Sequence, residues 1–372
     1  MGGERQLTSV ADSGGLLAMT GQSFVALPLA WTLAGVALSL CTGRCHMGRM
    51  ETQKPWPDSI RAGECEQHER QVRRVLGPNP SPYTFTGTQT WIVGAGADVA
   101  VIDPGPTGSG QSVGDPASPF NADANGASSV ASSDAFGVGH VDAIMRAVGD
   151  ARIIAIMCTH THRDHSPAAA PLSALTGAPI IGCAPLVLSD DGPRADSAFD
   201  PSYAPNRVLT DGERVSGDGW TIEAVATPGH TSNHLCYALL ETQALFTGDH
   251  VMKWSTSVVS PPDGNMADYM ASLTKLYDRP DRIYYPAHGP PVKNPRQLVR
   301  GMLGHRRQRE AQILRELAKG PRPISEMVAA MYKGLDPRLT GAAGRSVLAH
   351  LYDLADRGRV AQSNQQTWSL AS

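Results

Sequence analysis

Residues 160–165, with the sequence HTHRDH, hold three histidines and one aspartate. They follow the apolar run 153–157, IIAIM, whose length and composition are typical of a buried strand. Neutral imidazole and carboxylate groups are metal ligands, and zinc accepts both. Without a metal, such groups would be costly to bury and would repel one another once protonated. The segment therefore predicts a metal site at a strand end, and the plainer alternative is a polar loop that happens to be rich in histidine.

Four further segments place an aspartate or histidine just past a predicted strand and next to a glycine. They are IDPG at 102–105, TPGH at 227–230, TGD at 247–249 and AHG at 287–289. A glycine permits a tight turn that lets the neighbouring side chain point outward. Loops at strand ends are also where open α/β sheets build their sites. A lone histidine in such a place would more often be structural, but four matching segments indicate one shared site.

The elements that must position these side chains follow from the apolar pattern. Strands are predicted at 72–76, 90–93, 99–103, 208–209, 221–225, 236–239, 244–246 and 283–285. Helices are predicted at 141–148 and 266–276, the second with apolar residues at helical spacing. Residues 107–137 are rich in Gly, Ser, Ala, Asp and Pro, which predicts a disordered insertion.

Composition limits the function classes. A chain of 372 residues suggests one large domain with an appendage. The net charge of -3 argues against a polycation that binds nucleic acid over its whole surface. The six cysteines are scattered without a CxxC pair, so neither a disulfide framework nor a cysteine zinc finger is supported. A reducing compartment, and hence the cytoplasm, is the simplest expectation.

The N-terminal 70 residues differ from the rest and are expected to be an extension and linker. Within them the stretch 24–41 is almost wholly apolar, although Pro28 interrupts it. Three readings stay open: an extension without function, with translation starting at Met47 or Met50; a membrane anchor that leaves the catalytic domain in the cytoplasm; and a cleaved signal. No stable membrane partner is expected unless 24–41 inserts.

Taken together, the motifs resemble the metallo-β-lactamase superfamily. The resemblance implies an α/β fold, an αββα sandwich with a dinuclear zinc site on its edge. The implied ligands are His160, His162 and His230 for one ion, Asp164, His165 and His288 for the other, and Asp249 as the bridge. Iron or manganese would also suit such ligands. Asp103 is expected to orient a ligand, and His234 to lie beside the ligands or contact substrate, with a purely structural role equally open.

The chemistry implied is hydrolysis by a hydroxide that two metal ions share, because the ions lower the pKa of water to about 7. Asp164 is expected to be the catalytic residue that orients this nucleophile and takes part in proton transfer. The same fold acts on lactams, thioesters, lactones and phosphodiesters, so the motifs leave the bond open.

The tail predicts a winged helix, with helices at 323–332 and 343–356 and a wing of two strands around 358–361 and 367–370. With this tail the chain resembles the β-lactamase-like protein 2 family, although Gln89-Thr90-Trp91 replaces the family's usual Asn-Thr-Tyr. The expected domains are 71–295 for the catalytic core and 296–372 for a helical linker and the winged helix.

Some members of that family cleave single-stranded RNA and relatives act as thioesterases, so the resemblance implies two candidate substrate classes. The first expectation is a small thioester or ester-like metabolite. The alternative is single-stranded RNA, since residues 300–372 hold 12 Lys and Arg against 6 Asp and Glu, with Arg306, Arg307 and Arg309 clustered. The third reading is a winged-helix protein that binds nucleic acid without being an enzyme and whose metal site is vestigial. A homodimer is a further expectation for such a tail.

Overall fold

Apolar segments of the chain form two five-stranded sheets in the computed structural model, which describes residues 61–81, 83–107, 139–187, 199–335, 337–363 and 366–371. The apolar stretch 24–41 and nearly all of the predicted insertion 107–137 lie outside these residues. Within the described part of the chain, no helix has the length and apolarity that a membrane span needs.

The first sheet has its strands in sequence order. They are β1 (Cys65–Glu69), β2 (Val72–Leu76), β3 (Gln89–Val93), β4 (Asp98–Ile102) and β5 (Arg152–Met157). Neighbours pair antiparallel except β4 and β5, which are parallel and are connected through α1 (His140–Val148). Because β4 and β5 are parallel, their C-terminal ends lie side by side. Residues 103–105 and 158–165, which follow these two strands, therefore leave the sheet at the same edge.

The second sheet and the elements that precede it complete the core. In sequence, the first sheet is followed by α2 (Ala169–Thr176) and by the short parallel pair β6 (Ile181–Gly182) and β7 (Arg207–Val208), and the second sheet comes after them. The second sheet contains β8 (Arg214–Gly217), β9 (Trp220–Ala226), β10 (Leu235–Leu239), β11 (Ala244–Gly248) and β12 (Ile283–Pro286). Here β11 and β12 are parallel, and α3 (Met266–Tyr277) joins them.

The two sheets pack face to face around one apolar cluster. Trp91 and Ile156 from the first sheet and Tyr237 and Phe246 from the second belong to it, and all are almost fully buried. Truncating an aromatic residue of this kind to alanine costs about 3–5 kcal/mol. The outer face of the second sheet packs against α3 and α4 (Pro295–Leu317). On the first sheet, α1 contacts β2 and α2 contacts β5, so the layers are those of an αββα sandwich.

Strand β1 corrects the expectation that residues up to 70 are a linker. It pairs antiparallel with β2 at the edge of the first sheet. Its sequence, CEQHE, has no apolar alternation because none of its side chains is fully buried. An edge strand in which every side chain keeps some exposure needs no apolar pattern, so the sequence contained no signal for β1.

The tail has the predicted helix-helix-wing order. It contains α5 (Ile324–Met331), α6 (Thr340–Asp356), β14 (Val360–Ser363) and β15 (Thr367–Leu370). A third strand, β13 (Arg322–Pro323), pairs with β15 and was not predicted, because two residues are too few to show a pattern. Ile313 and Leu317 at the end of α4 pack with Val347 and Trp368, so α4 contributes to the cores of both the sandwich and the winged helix.

Candidate metal centre

The predicted ligands leave both sheets at one edge of the sandwich. The segment 160–165 follows β5 of the first sheet, and His230 follows β9 of the second. Asp249 comes directly after β11, and His288 comes two residues after β12. All seven residues lie in two groups, within each of which the candidate ligand atoms are no more than 4.8 Å apart.

The first group is formed by His160, His162, His230 and Asp249. Nε2 of His160 lies 2.9 Å from Nδ1 of His162, and that atom lies 3.3 Å from Nε2 of His230. Oδ2 of Asp249 lies 3.7 Å from Nε2 of His230. Three ring nitrogens and one carboxylate oxygen therefore face one point.

The second group is formed by Asp164, His165 and His288. Oδ2 of Asp164 lies 3.2 Å from Nε2 of His288 and 3.4 Å from Nε2 of His165. The other oxygen of Asp249, Oδ1, lies 3.3 Å from Nε2 of His288 and 3.6 Å from Nε2 of His165. Asp249 thus turns one oxygen to each group, which is the arrangement that a bridging ligand requires.

Polar atoms inside the cluster show that these residues suit a cation. Among the described residues, Nε2 of His165 and Oδ1 of Asp249 are buried without a hydrogen-bond partner. Buried polar atoms are nearly always paired, so orphaned atoms that face one another point to a missing partner. Nitrogen and carboxylate oxygen ligands suit zinc and also iron or manganese. The donor set therefore fits a pair of divalent metal ions.

The protonation states of three of the clustered residues already suit metal binding. Burial and the neighbouring imidazoles hold the pKa of His160 well below its ordinary value, and burial with His230 lowers the pKa of His162 to about 3. Burial alone would raise the pKa of Asp164, but His165 and His288 hold it well below its usual range. His160 and His162 are consequently neutral and Asp164 is charged, which are the forms that bind metal. Burial alone would lower the pKa of His165 and His288, but Asp164 and Asp249 raise it, so these two rings must release a proton when a metal ion binds.

Asp103 lies behind both groups and orients a ring in each. It accepts hydrogen bonds from the backbone N–H of Thr159 at 2.7 Å and from Nδ1 of His165 at 3.1 Å. The hydroxyl of Thr159 donates to Asp103 at 2.9 Å and lies 3.0 Å from Nδ1 of His160. Each Nδ1 is thereby occupied, and each Nε2 is left to face its group. Asp103 has a φ of 48°, a conformation that few residues other than glycine adopt.

His230 is oriented by a loop that the sequence analysis did not connect with it. Its Nδ1 lies 2.5 Å from the carbonyl oxygen of Val258. A carbonyl only accepts, so Nδ1 carries the hydrogen and Nε2 faces the group. The carbonyl of Ser257, one residue earlier, accepts a hydrogen bond from the buried Arg306 of α4. Arg306 also lies over the ring of Tyr269, at 5.0 Å from its centroid.

His234 belongs to neither group. It is almost fully buried, its Nδ1 lies 2.9 Å from the Thr227 hydroxyl, and its ring centroid is 5.2 Å from that of His160. This burial fits a neighbour packed beneath the predicted ligands better than a residue that contacts substrate. His250, beside Asp249, packs against Tyr269 in the same layer.

Gln89, the departure from the family pattern, supports the loop that carries His288. Its side-chain amide donates to the carbonyl of Gly289, and its oxygen accepts from Arg74 at 2.9 Å. Trp91 donates to the carbonyl of Pro286 at 3.2 Å. The altered residues therefore brace β12 and the loop after it from behind.

The basic cluster of the tail is only partly accessible. Arg306 and Arg309 are buried, while Arg307 is exposed. Arg309 lies over the ring of Tyr332, at 4.3 Å from its centroid. Two of the three clustered cations therefore stabilise the packing of α4 and are not available to bind a polyanion.

Comparison with known proteins bears on this arrangement. A model of the metallo-beta-lactamase superfamily matches residues 83–288, and a model of the beta-lactamase associated winged helix domain matches residues 324–368. The chain is 29% identical to Lactamase-like protein notP of Aspergillus sp., with 80% of this chain and 82% of that protein covered. It is also 29% identical to the atrochrysone carboxyl ACP thioesterase dmxR1 of Cryptosporiopsis sp., with 80% and 77% covered.

Among solved structures, the chain is similar to a beta-lactamase domain protein from Burkholderia ambifaria. The TM-score is 0.65 at 20% identity, over 87% of this chain and 99% of that one. The match extends over both the sandwich and the tail.

Proposed function

Because the chain belongs to the metallo-beta-lactamase superfamily, as a metal-dependent hydrolase with the associated winged helix, we propose that it cleaves acyl thioesters at a dinuclear zinc centre. The position of Asp249 carries this proposal. One carboxylate that turns an oxygen to each of two ligand groups has a clear use only when both groups hold a metal ion.

The proposed ligands are the seven clustered residues. One ion would be held by His160, His162 and His230, the other by Asp164, His165 and His288, with Asp249 between them. When bound, the metal pair supplies a hydroxide nucleophile at neutral pH and polarises the carbonyl of the substrate.

Asp164 is the proposed catalytic residue. Its side chain is 26% exposed, more than that of Asp249, and its Oδ2 faces His165 and His288. The Thr88 hydroxyl lies 3.5 Å from the same oxygen and limits its rotation. A carboxylate held in its charged form at the solvent side of the cluster can orient the attacking water and take its proton. Hydrolysis then yields the acid and the free thiol.

The substrate class is supported by the relatives. Two of the similar proteins are named atrochrysone carboxyl ACP thioesterases, so thioesters on a carrier thiol are the substrate class that we propose for this chain. The burial of Arg306 and Arg309 removes two cations of the basic cluster from contact with single-stranded RNA, which stays the alternative substrate. We also propose that the catalytic region ends at residue 295 and the tail covers 296–372, with the start of the catalytic region moved from residue 71 to include β1.

The test compares two substrates with and without metal. The purified full chain is assayed on acyl-pantetheine thioesters and on single-stranded RNA of mixed sequence, before and after treatment with a chelator and after zinc is restored. We expect thioester hydrolysis that disappears with the chelator and returns with zinc. Asp164→Ala should lower turnover by about 100-fold or more, while Asp142→Ala, an exposed residue of α1, should not.

Two results would contradict the proposal. Undiminished turnover in the presence of chelator would exclude the metal mechanism. RNA cleavage without thioester hydrolysis would exclude the proposed substrate and leave the metal mechanism in place.

A further inference from the structure

A cavity of about 910 Å³ lies beside the metal centre without including any of the seven clustered residues. Its walls come from β1 and β2, the Phe85–Thr86 turn, the loop after His250, the loop after His288 and the first half of α4. A volume of this order is that of a small-molecule binding site. The sequence pattern alone did not reveal it, because its lining residues are far apart along the chain.

The cavity adjoins the cluster through shared backbone. Gly289, in its wall, directly follows His288. Thr86, also in the wall, precedes Gly87, whose carbonyl oxygen lies 3.4 Å from Nδ1 of His288. A molecule in the cavity therefore lies next to the segments that hold His288.

An aromatic pair, Phe85 and Trp254, lies where the cavity wall adjoins the loop that carries His288. Phe85 has a φ of 58° and stacks on Trp254, with ring centroids 5.1 Å apart. A side chain at Gly289 would come within 2.5 Å of Cδ1 of Trp254, so only glycine fits there. Backbone strain in a bulky residue is concentrated at functional sites. The indole N–H of Trp254 is buried with no acceptor among the described residues.

The charges of the wall are predominantly positive. Lys253 and Lys293 line the cavity, are exposed and have no carboxylate partner in the part of the chain that the structure describes. Arg74 pairs with Glu66, which is the acidic residue of the lining. The lining also has an apolar part, formed by Pro290, Pro291, Val292, Leu298 and Met302.

We propose that this cavity binds one half of the thioester substrate, an apolar chain that carries an anionic group, with Lys253 and Lys293 contacting the anion. The inference depends on the proposed function only in naming the ligand as part of a thioester; the anion site does not depend on it. Two sources have this chemistry: the phosphate of a pantetheine arm, and a carboxylate on an acyl group. Both would place the apolar chain along the wall and the thioester toward His288.

The experiment measures binding without catalysis. Titration calorimetry on the metal-free full chain is carried out with 4′-phosphopantetheine and, separately, with 2-naphthoate. The variants are Lys253→Ala/Lys293→Ala and, as the control, Lys333→Ala, an exposed tail lysine outside the cavity. We expect the double variant to bind one of the two compounds about tenfold more weakly or worse, and the control to bind as the unaltered chain does.

The outcomes separate the sources. Weaker binding of phosphopantetheine alone assigns the cavity to the carrier arm, and weaker binding of naphthoate alone assigns it to the acyl group. If neither compound binds, or if binding does not depend on the lysines, the inference is wrong. Lysine-dependent binding in a protein that hydrolyses no thioester would leave the anion site standing and overturn the proposed function instead.

In the active enzyme the same double variant gives a second readout. The lysines contact the distant anion and not the reacting carbonyl, so KM should rise by about tenfold while kcat is largely kept. A fall in kcat with unchanged KM would contradict the assignment.

Discussion

At the scale of single residues, the candidate centre depends on hydrogen bonds behind the predicted ligands. Asp103 reaches His165 directly and His160 through Thr159, so one carboxylate orients a ring in each metal group. The two groups are thus coupled at the front by Asp249 and at the back by Asp103.

Asp103→Asn tests this coupling. Asparagine keeps the shape and tolerates the positive φ, but it loses the charge and one of the acceptors that hold the rings. We expect metal affinity to fall by about 10–100-fold, as measured by competition with a chelating dye. Both ions should be affected. A variant that loses only one ion, or none, would contradict a shared orienting role.

His140 gives a prediction for stability against pH. It is buried beside the Thr90 hydroxyl, at 2.9 Å, and burial lowers its pKa from 6.5 to about 4. Below pH 6.5 the His140 side chain binds a proton in the unfolded chain, but in the folded chain it stays neutral until the pH approaches 4. The stability that His140 contributes is therefore complete above that pH and is lost as the pH falls toward 4, at about 1.4 kcal/mol per pH unit.

Urea denaturation between pH 7.5 and 4.5 measures this effect. Other groups also titrate in this range, so the decisive quantity is the difference between the unaltered chain and His140→Gln. Glutamine does not titrate, and the slope of the variant should therefore be smaller. Equal slopes would show that His140 does not account for the loss.

At the scale of elements, α4 joins the tail to the candidate centre. Arg306 on this helix holds the carbonyl of Ser257, and the next carbonyl, that of Val258, orients His230. Arg309, one turn further along the helix, packs against Tyr332 in the winged-helix part. These two buried arginines, three residues apart, therefore contact different parts of the protein: Arg306 the Ser257 loop and Arg309 the winged-helix part.

Arg306→Met separates positioning from packing. Methionine keeps much of the apolar stem but cannot bond the Ser257 carbonyl, so the Val258 loop should hold His230 less firmly. We expect one ion to bind about tenfold more weakly, as measured by metal titration. Arg309→Met is the matched control, which should lower the melting temperature but leave metal affinity unchanged. Equal metal affinity in the two variants would refute the positioning role.

The predictable and unpredictable parts of the chain differ in a physical way. The cluster 160–165 could be predicted because its ligands are close in sequence and follow an apolar strand. Strand β1 could not, since a half-exposed edge strand has no apolar period. The burial of Arg306 had a signal that was missed: it lies at helical spacing with Val299, Met302 and Ile313 on the apolar face of α4.

At the scale of the whole molecule, metal binding should stabilise the fold, because the candidate ligands come from both sheets. An ion at 1,000 times its dissociation constant adds about 4 kcal/mol, so the melting temperature should rise on the order of 10 °C. Scanning calorimetry of metal-free and zinc-loaded protein measures this. Asp249→Asn should lose most of the rise, and Asp142→Asn should keep it. An equal melting temperature with and without zinc would contradict a metal site that ties the sheets together.

The contact of Arg306 with the Val258 loop has a consequence for protein engineering. Each residue added to or removed from a helix rotates the remainder of that helix by about 100°. Consider a chimera that joins this sandwich to the winged helix of a relative. It would keep its metal centre only if the junction lies beyond Arg306, or if the relative's helix places a long side chain with an N–H group where Arg306 lies here. Junctions before Arg306 that add or remove a single residue should therefore give inactive fusions, although both folded parts are unchanged.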